Sequence, residues 1–188
     1  MAGFPAPLRR GPGTCVGMVG EVKLVLAPRA NNKDAAIGAV GAALGMAITW
    51  LISDWVLGGI APLVVMSMGA SAVLLFATPT SPLAQPVPVL AAHALGAAVG
   101  VASAQWIDNT AIAVGVAVGV TAGAIIRLGI THPPSGGTAL SAVVGGEAVT
   151  KLGWEFIWRP VLLNAIVLIV LAVVVNAPFA WRRYPVRT

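Results

Sequence analysis

From Ala35 to Ile126 the chain carries only two charged side chains, Asp54 and Asp108. A soluble domain of this length carries about a quarter charged residues, against 9% here, with 58% hydrophobic residues and a mean hydropathy of +0.93. Water cannot be the solvent for such a stretch, so the chain is read as an integral membrane protein. The class follows from the solvent. In lipid every backbone N–H and C=O must be bonded internally, and with these segment lengths that means helices. The expected fold is an all-α, polytopic helical bundle.

The net charge of +5 does not point to nucleic acid. Arg9, Arg10, Lys23, Arg29 and Lys33 precede the first apolar run, and Arg182, Arg183 and Arg187 follow the last. This divides the chain into a basic N-terminal tail (1–34), a membrane domain (35–180) and a basic C-terminal tail (181–188). The positive-inside rule puts both tails on the cytoplasmic or equivalent side, of a bacterial inner membrane or an organellar one. Cys15 is the single cysteine and His93 and His132 are the two histidines. Neither a disulfide, a thiolate metal site nor a multi-histidine centre is expected, and no cofactor. The first thirty residues lack the pattern of a secretory signal. They read as a disordered tail or an organelle-targeting segment, within which Val22 to Leu26 could lie along the membrane surface.

The apolar runs place spans at about 35–53, 56–78, 87–106, 110–127, 129–146 and 160–178. Gly38, Gly41 and Gly45 make a flat face on the first, and Gly96 and Gly100 do so on the third. Gly115, Gly119 and Gly123 form a stripe that assigns the 110–127 helix to the middle of the bundle. Two runs are broken. Met68-Gly69-Ala70-Ser71 interrupts the second, and Thr131-His132-Pro133-Pro134-Ser135-Gly136-Gly137-Thr138 opens the fifth. Consecutive prolines cannot continue a helix but suit its first turn. Each half of the chain thus reads as span, broken segment, span. The halves are an inverted repeat with six crossings if the broken segments cross, and parallel with four if they dip and return; six is preferred. Trp50, Trp55, Trp106, Trp154 and Trp158 then mark the outer surface.

Irregular backbone at membrane depth is tolerated where it lines a cavity or is buried in protein, so two matched breaks point to a shared binding site. A half-helix N-terminus offers free N–H groups and a partial positive charge, which suits a small anion that must also be released. The expected contacts are Gly69, Ala70, Ser71, His132, Ser135, Gly136, Gly137 and Thr138. The competing reading is that both breaks are packing kinks and the hydroxyls cap their own backbone.

The His132-Pro133-Pro134 run with Ser135-Gly136-Gly137-Thr138-Ala139 resembles the signature of the HPP integral membrane proteins. Gly69-Ala70-Ser71-Ala72-Val73-Leu74-Leu75-Phe76, Ser81-Pro82-Leu83-Ala84-Gln85-Pro86 and His93 are similar to that family's other characteristic positions, in the same order. The likeness spans about Ala35 to Ala180. Members in cyanobacteria and chloroplasts are described as nitrite transporters, so the resemblance implies a transporter or channel for a small inorganic anion, nitrite first.

His132 either carries a proton with the anion or caps a backbone carbonyl. His93 either packs between helices or joins the path, as does Asn164; Gln85 either lines the path or ties down the proline-rich connection. Asp54 and Asp108 mark loop ends. The expected partners are the anion, the bilayer and further copies of the chain in a homo-oligomer. Two other classes compete: a non-transporting scaffold or assembly subunit, and an embedded enzyme with His132 as general base. The enzyme is not favoured, because the sequence shows no nucleophile–base pair, no carboxylate near His132 and no metal set.

Overall fold

The computed structural model describes residues 30–57 and 61–186, together with a two-residue antiparallel pairing of β1 (Met18–Val19) with β2 (Val22–Lys23). The rest of the N-terminal tail, including the surface segment expected to run on to Leu26, lies outside the described residues. From Asn32 onward the described chain is helical: α1 (Asn32–Leu57), α2 (Ala61–Ala77), α3 (Pro86–Trp106), α4 (Thr110–Arg127), α5 (Ser135–Val144), α6 (Gly146–Thr150) and α7 (Leu163–Asn176). Four helical stretches are long and apolar enough to cross a bilayer: 32–56, 86–106, 110–127 and 157–176. Met66–Ala77 and Ser135–Val144 are shorter apolar pieces.

Helix ends fall where the side chains dictate. Pro86 opens α3, where a missing N–H costs nothing. Asn109 caps α4, its side-chain oxygen accepting from the Ile112 N–H at 3.1 Å. Between the expected spans 129–146 and 160–178 the chain passes through the short α6 and then a wide turn (Ile157–Leu162) kinked at Arg159. Pro160 follows the kink and cannot supply the amide that would straighten it.

The second expected interruption is real and the first is not. Between Arg127 and Ser135 the chain leaves the helix and re-enters it after Pro134. At Met68–Ser71, however, α2 runs unbroken. One glycine costs a helix about 1 kcal/mol, whereas an unbonded amide in lipid costs several, so Gly69 is absorbed. Gly69–Ser71 is therefore mid-helix while Gly136–Thr138 lies in a first turn, and the two are not equivalent positions.

Two of the three glycine faces pack as expected. A methyl at Gly38 would sit 2.9 Å from the Phe76 carbonyl oxygen, and methyls at Gly41 and Gly45 would each fall 2.6 Å from the Phe76 ring. Phe76 is fully buried there, beside Met68, Leu75 and Leu168. Gly96 and Gly100 bring α3 against the backbone of α5, each with a carbonyl oxygen 2.5 Å from where Cβ would be. The third stripe is a correction. Gly115, Gly119 and Gly123 have no atom within 4 Å, and with Ile112 and Val120 they form an exposed face, so α4 is peripheral within one chain.

The start of the C-terminal tail is no free appendage. Arg182 is buried and donates to Asn176 Oδ1 at 2.9 Å, to the Phe76 carbonyl and, at 3.4 Å, to Asp34 Oδ1. The Phe76 carbonyl ends α2 without a helical partner and at the negative end of its dipole, which is where a guanidinium fits. Trp181 Nε1 donates to the same Asp34 carboxylate at 2.7 Å. The clasp brings the start of α1, the end of α2 and the end of α7 together at one end of the bundle.

Candidate functional site

Four elements send polar side chains into one buried cluster. Ser71 of α2, His93 of α3, His132 of the connection before α5, and Ser135 and Thr138 of α5 are all fully buried, with Ser67 of α2 at 8%. Helical spacing explains the α2 and α5 pairs. Ser67 and Ser71 are four apart and Ser135 and Thr138 three apart, so each pair shares a face. His132 is held in the connection by the prolines that follow it.

The cluster is a continuous chain of hydrogen bonds. His132 Nδ1 lies 2.7 Å from the Leu83 carbonyl oxygen, in the 3-10 turn Pro82–Ala84. Its Nε2 lies 2.9 Å from Ser71 Oγ, and the same hydroxyl is 2.8 Å from His93 Nε2. His93 Nδ1 lies 2.7 Å from Thr138 Oγ1, which is 3.1 Å from Ser67 Oγ. The two imidazoles meet edge to face with centroids 4.9 Å apart. Among the described residues the histidines' hydrogen-bond partners are hydroxyls and one carbonyl.

The amides that open α5 are engaged, which corrects the sequence expectation of free donors. Ser135, Gly136 and Gly137 donate to the carbonyls of His132, Pro133 and Pro134 at 3.1, 3.1 and 2.9 Å, and Thr138 donates to Pro134 at 3.3 Å. Ser135 Oγ turns back to the His132 carbonyl at 2.8 Å. The two prolines remove two donors and leave three carbonyls in a row, and the first turn closes on these. Gly137 packs on α2, where a Cβ would stand 3.5 Å from Ser67 Cβ, an ordinary contact.

The remaining candidates fall elsewhere. Gly69 faces open space and Ala70 is exposed, so neither joins Ser71 in the cluster. Gln85 ties down the proline-rich connection, with Nε2 donating to the Pro79 and Ser81 carbonyls and Oε1 accepting from the Val186 N–H. Asn164 is buried in a separate pair, accepting from Ser53 Oγ. Its Nδ2 is without a partner.

Two members escaped the sequence reading. Ser67 was legible as a second serine four residues before Ser71 in an apolar run; the Leu83 carbonyl left no trace in side-chain identity. The sequence also gave no sign of a serine–histidine pair, because Ser71 is 22 positions from His93 and 61 from His132.

No solved structure matches the chain. Among curated proteins, two transmembrane proteins of Dictyostelium discoideum are similar to it. One is 38% identical over 123 residues, covering 63% of this chain and 43% of its own length. The other is 37% identical over 127 residues, covering 64% and 40%. The chain thus spans less than half the length of these relatives. The sequence model of the HPP transmembrane region matches residues 27–185, which takes in every element of the cluster, and the chain belongs to the HPP transmembrane family.

Proposed function

We propose that this protein carries a small inorganic anion across the membrane, nitrite being the candidate the family resemblance suggests, and that the buried cluster is where the anion is received. One observation carries this reading: six polar side chains, two of them histidines, converge at 8% exposure or less in one place within the bundle. Ionisable groups are costly in a bilayer and are characteristically retained for a pathway or a relay. The donors available to an anion are the hydroxyls of Ser67, Ser71 and Thr138 and the ring N–H groups, since the α5 amides are engaged with carbonyls. An entering anion has to replace bonds within the cluster, which couples its binding to a parting of α2 from α5. On this reading the end bearing Asp34, Arg182 and the tails faces the cytoplasm or its organellar equivalent.

A homo-oligomer belongs to the same proposal. A second copy would pack backbone to backbone on the exposed face of Gly115, Gly119 and Gly123, where lipid tails make poorer contact. The rival reading, a non-transporting membrane subunit, is favoured by the completeness of the cluster's internal bonding. A fully bonded polar core can serve only to fix which helices pack together. Flux separates the two. Proteoliposomes containing the protein are expected to take up nitrite faster than protein-free vesicles, with nitrate, formate and chloride as comparisons and Ser71→Ala reducing the rate. Equal uptake with and without protein for all four anions would sink the transport reading.

A further inference from the structure

The heavy-atom contacts of the cluster are all in place, but its hydrogens do not suffice to fill them. A carbonyl oxygen only accepts, so His132 Nδ1, 2.7 Å from the Leu83 oxygen, carries a hydrogen. Thr138 Oγ1 donates its one hydrogen to Ser67 Oγ at 3.1 Å. Toward His93 Nδ1, 2.7 Å away, it can therefore only accept, and His93 Nδ1 carries a hydrogen as well. A neutral imidazole has a single N–H, so both rings leave Nε2 bare. The two bare nitrogens face the same atom: Ser71 Oγ lies 2.8 Å from His93 Nε2 and 2.9 Å from His132 Nε2. Ser71 has one hydrogen for these two acceptors, and a third, the Ser67 carbonyl, stands at 3.5 Å. Whichever ring Ser71 serves, the other sets lone pair against lone pair at hydrogen-bond distance, with all three side chains at 0% exposure.

We propose that the cluster takes up one proton together with one anion, and that the proton completes the His93–Ser71–His132 bridge. The proton comes from solvent and bonds Nε2 of one ring. That N–H donates to Ser71 Oγ, and the Ser71 hydrogen turns to Nε2 of the other ring, so each contact holds one hydrogen. Shifting both hydrogens along the bridge passes the charge from one ring to the other, so it belongs to the pair.

The capacity is one proton. The ring centroids are 4.9 Å apart, and two like charges at that separation in a buried site repel strongly. A second proton would also leave the Ser71 hydrogen only the Ser67 carbonyl at 3.5 Å. Nor does the proton enter alone, because a buried imidazolium needs a counter-charge. Among the described residues the groups bonded to the rings are neutral: Ser71 from α2, Thr138 from α5 and the Leu83 carbonyl from the 3-10 turn. The anion supplies that charge, so the ligand is an anion and a proton of zero net charge. A cluster that served only to pack helices would gain nothing from a missing hydrogen, whereas a site for this pair is completed by its ligand.

The inference rests on the anion reading, and the hydrogen count and the proton uptake are tested separately. Nitrogen-15 magnetic resonance of the histidine-labelled chain in lipid bilayers reads the count, without added anion and at about pH 8, where histidine is ordinarily neutral. Both rings are expected as the Nδ1–H tautomer. Thr138→Val is expected to turn His93 alone to the Nε2–H tautomer, and Thr138→Ser to keep it as it was. Calorimetric titration of the same protein with nitrite reads the uptake: one proton taken per anion makes the affinity fall about tenfold for each unit of pH above neutrality. Opposite tautomers in the unaltered chain, a His93 ring indifferent to Thr138→Val, or an affinity indifferent to pH would overturn the inference and leave the anion reading standing. Nitrite that binds at no pH would overturn both. The tautomers and the pH slope are read on the unaltered chain, so a variant that fails to insert still leaves two decisive measurements.

Discussion

Gly96→Ala is an exacting perturbation of this bundle, because the new methyl would meet backbone rather than a side chain that can swing away. Its Cβ would stand 2.5 Å from the Ser135 carbonyl oxygen, against the 3.4 Å at which ordinary contact begins. The first turn of α5 would have to retreat by most of that difference. Overpacking of this kind costs about 1–3 kcal/mol, and alanine returns about 1 kcal/mol in helix propensity. The retreat also strains the 2.7 Å contact between His93 and Thr138, worth about 0.5–1.5 kcal/mol if lost. The net expectation is a loss of about 2 kcal/mol, read as loss of helical circular dichroism in a denaturant titration of the protein in mixed micelles. Gly119→Ala is the control, since no atom lies within 4 Å of the new methyl. A Gly96→Ala protein as stable as the wild type would refute the reasoning, because α5 would then not be held against α3 at the distance described.

The clasp, the tail and the exposed stripe each give a further expectation. Arg182→Ala removes the guanidinium from the Phe76 carbonyl, Asn176 Oδ1 and the Asp34 carboxylate, which keeps Trp181; the same titration should show a loss on the order of 3 kcal/mol, and an unchanged midpoint would count against the clasp. Burial pushes the Tyr184 hydroxyl well above its ordinary range, so its contribution to stability is complete below about pH 10, where the unfolded tyrosine ionises, and is lost as pH rises through the raised folded value. Tyr184→Phe should abolish that alkaline loss at little cost at neutral pH, since the hydroxyl has no partner to forfeit. Gly119→Ile should shift a homo-oligomer toward monomer in crosslinking within bilayers while leaving the monomer's stability unchanged; an oligomer that survives it is not built on α4.

The long apolar helices and the break before α5 were legible because each follows from a single property of the chain: absence of charge, or two adjacent prolines. Packing partners were less legible. The glycine spacing on α1 and α3 and the stripe on α4 look alike in sequence, yet two are filled and one is open, because a small-residue face records that something can approach and not what does. Gly69-Ala70-Ser71 misled for a related reason. Small residues are read as breaks when judged by propensity in water, but in lipid the cost of an unbonded amide outweighs propensity, and α2 continues. The free amides expected at Ser135–Thr138 vanished through the same rule, satisfied by the carbonyls that the prolines leave behind. His93 could not be separated from a packing histidine, since its partners come from α2 and α5.

Bonding within the cluster sets a condition on any anion that enters. Each internal bond between neutral groups is worth about 0.5–1.5 kcal/mol, whereas bonds to a charged acceptor are worth about 1.5–3 kcal/mol. A guest anion therefore gains by displacing the internal partners, but it also brings an uncompensated charge into a site that no lysine or arginine among the described residues enters. A proton held between His93 and His132 removes that charge. If anion and proton enter together, transport is electroneutral, and this can be read without knowing the direction of flux. Moving one uncompensated charge is worth about 2.3 kcal/mol per 100 mV, roughly a 50-fold change in accumulation. Nitrite accumulation in proteoliposomes clamped with potassium and valinomycin should instead ignore the potential and follow the pH gradient. Accumulation that tracks the potential and ignores the gradient would mean that the anion crosses alone and that the histidines hold the helices together without moving protons for it.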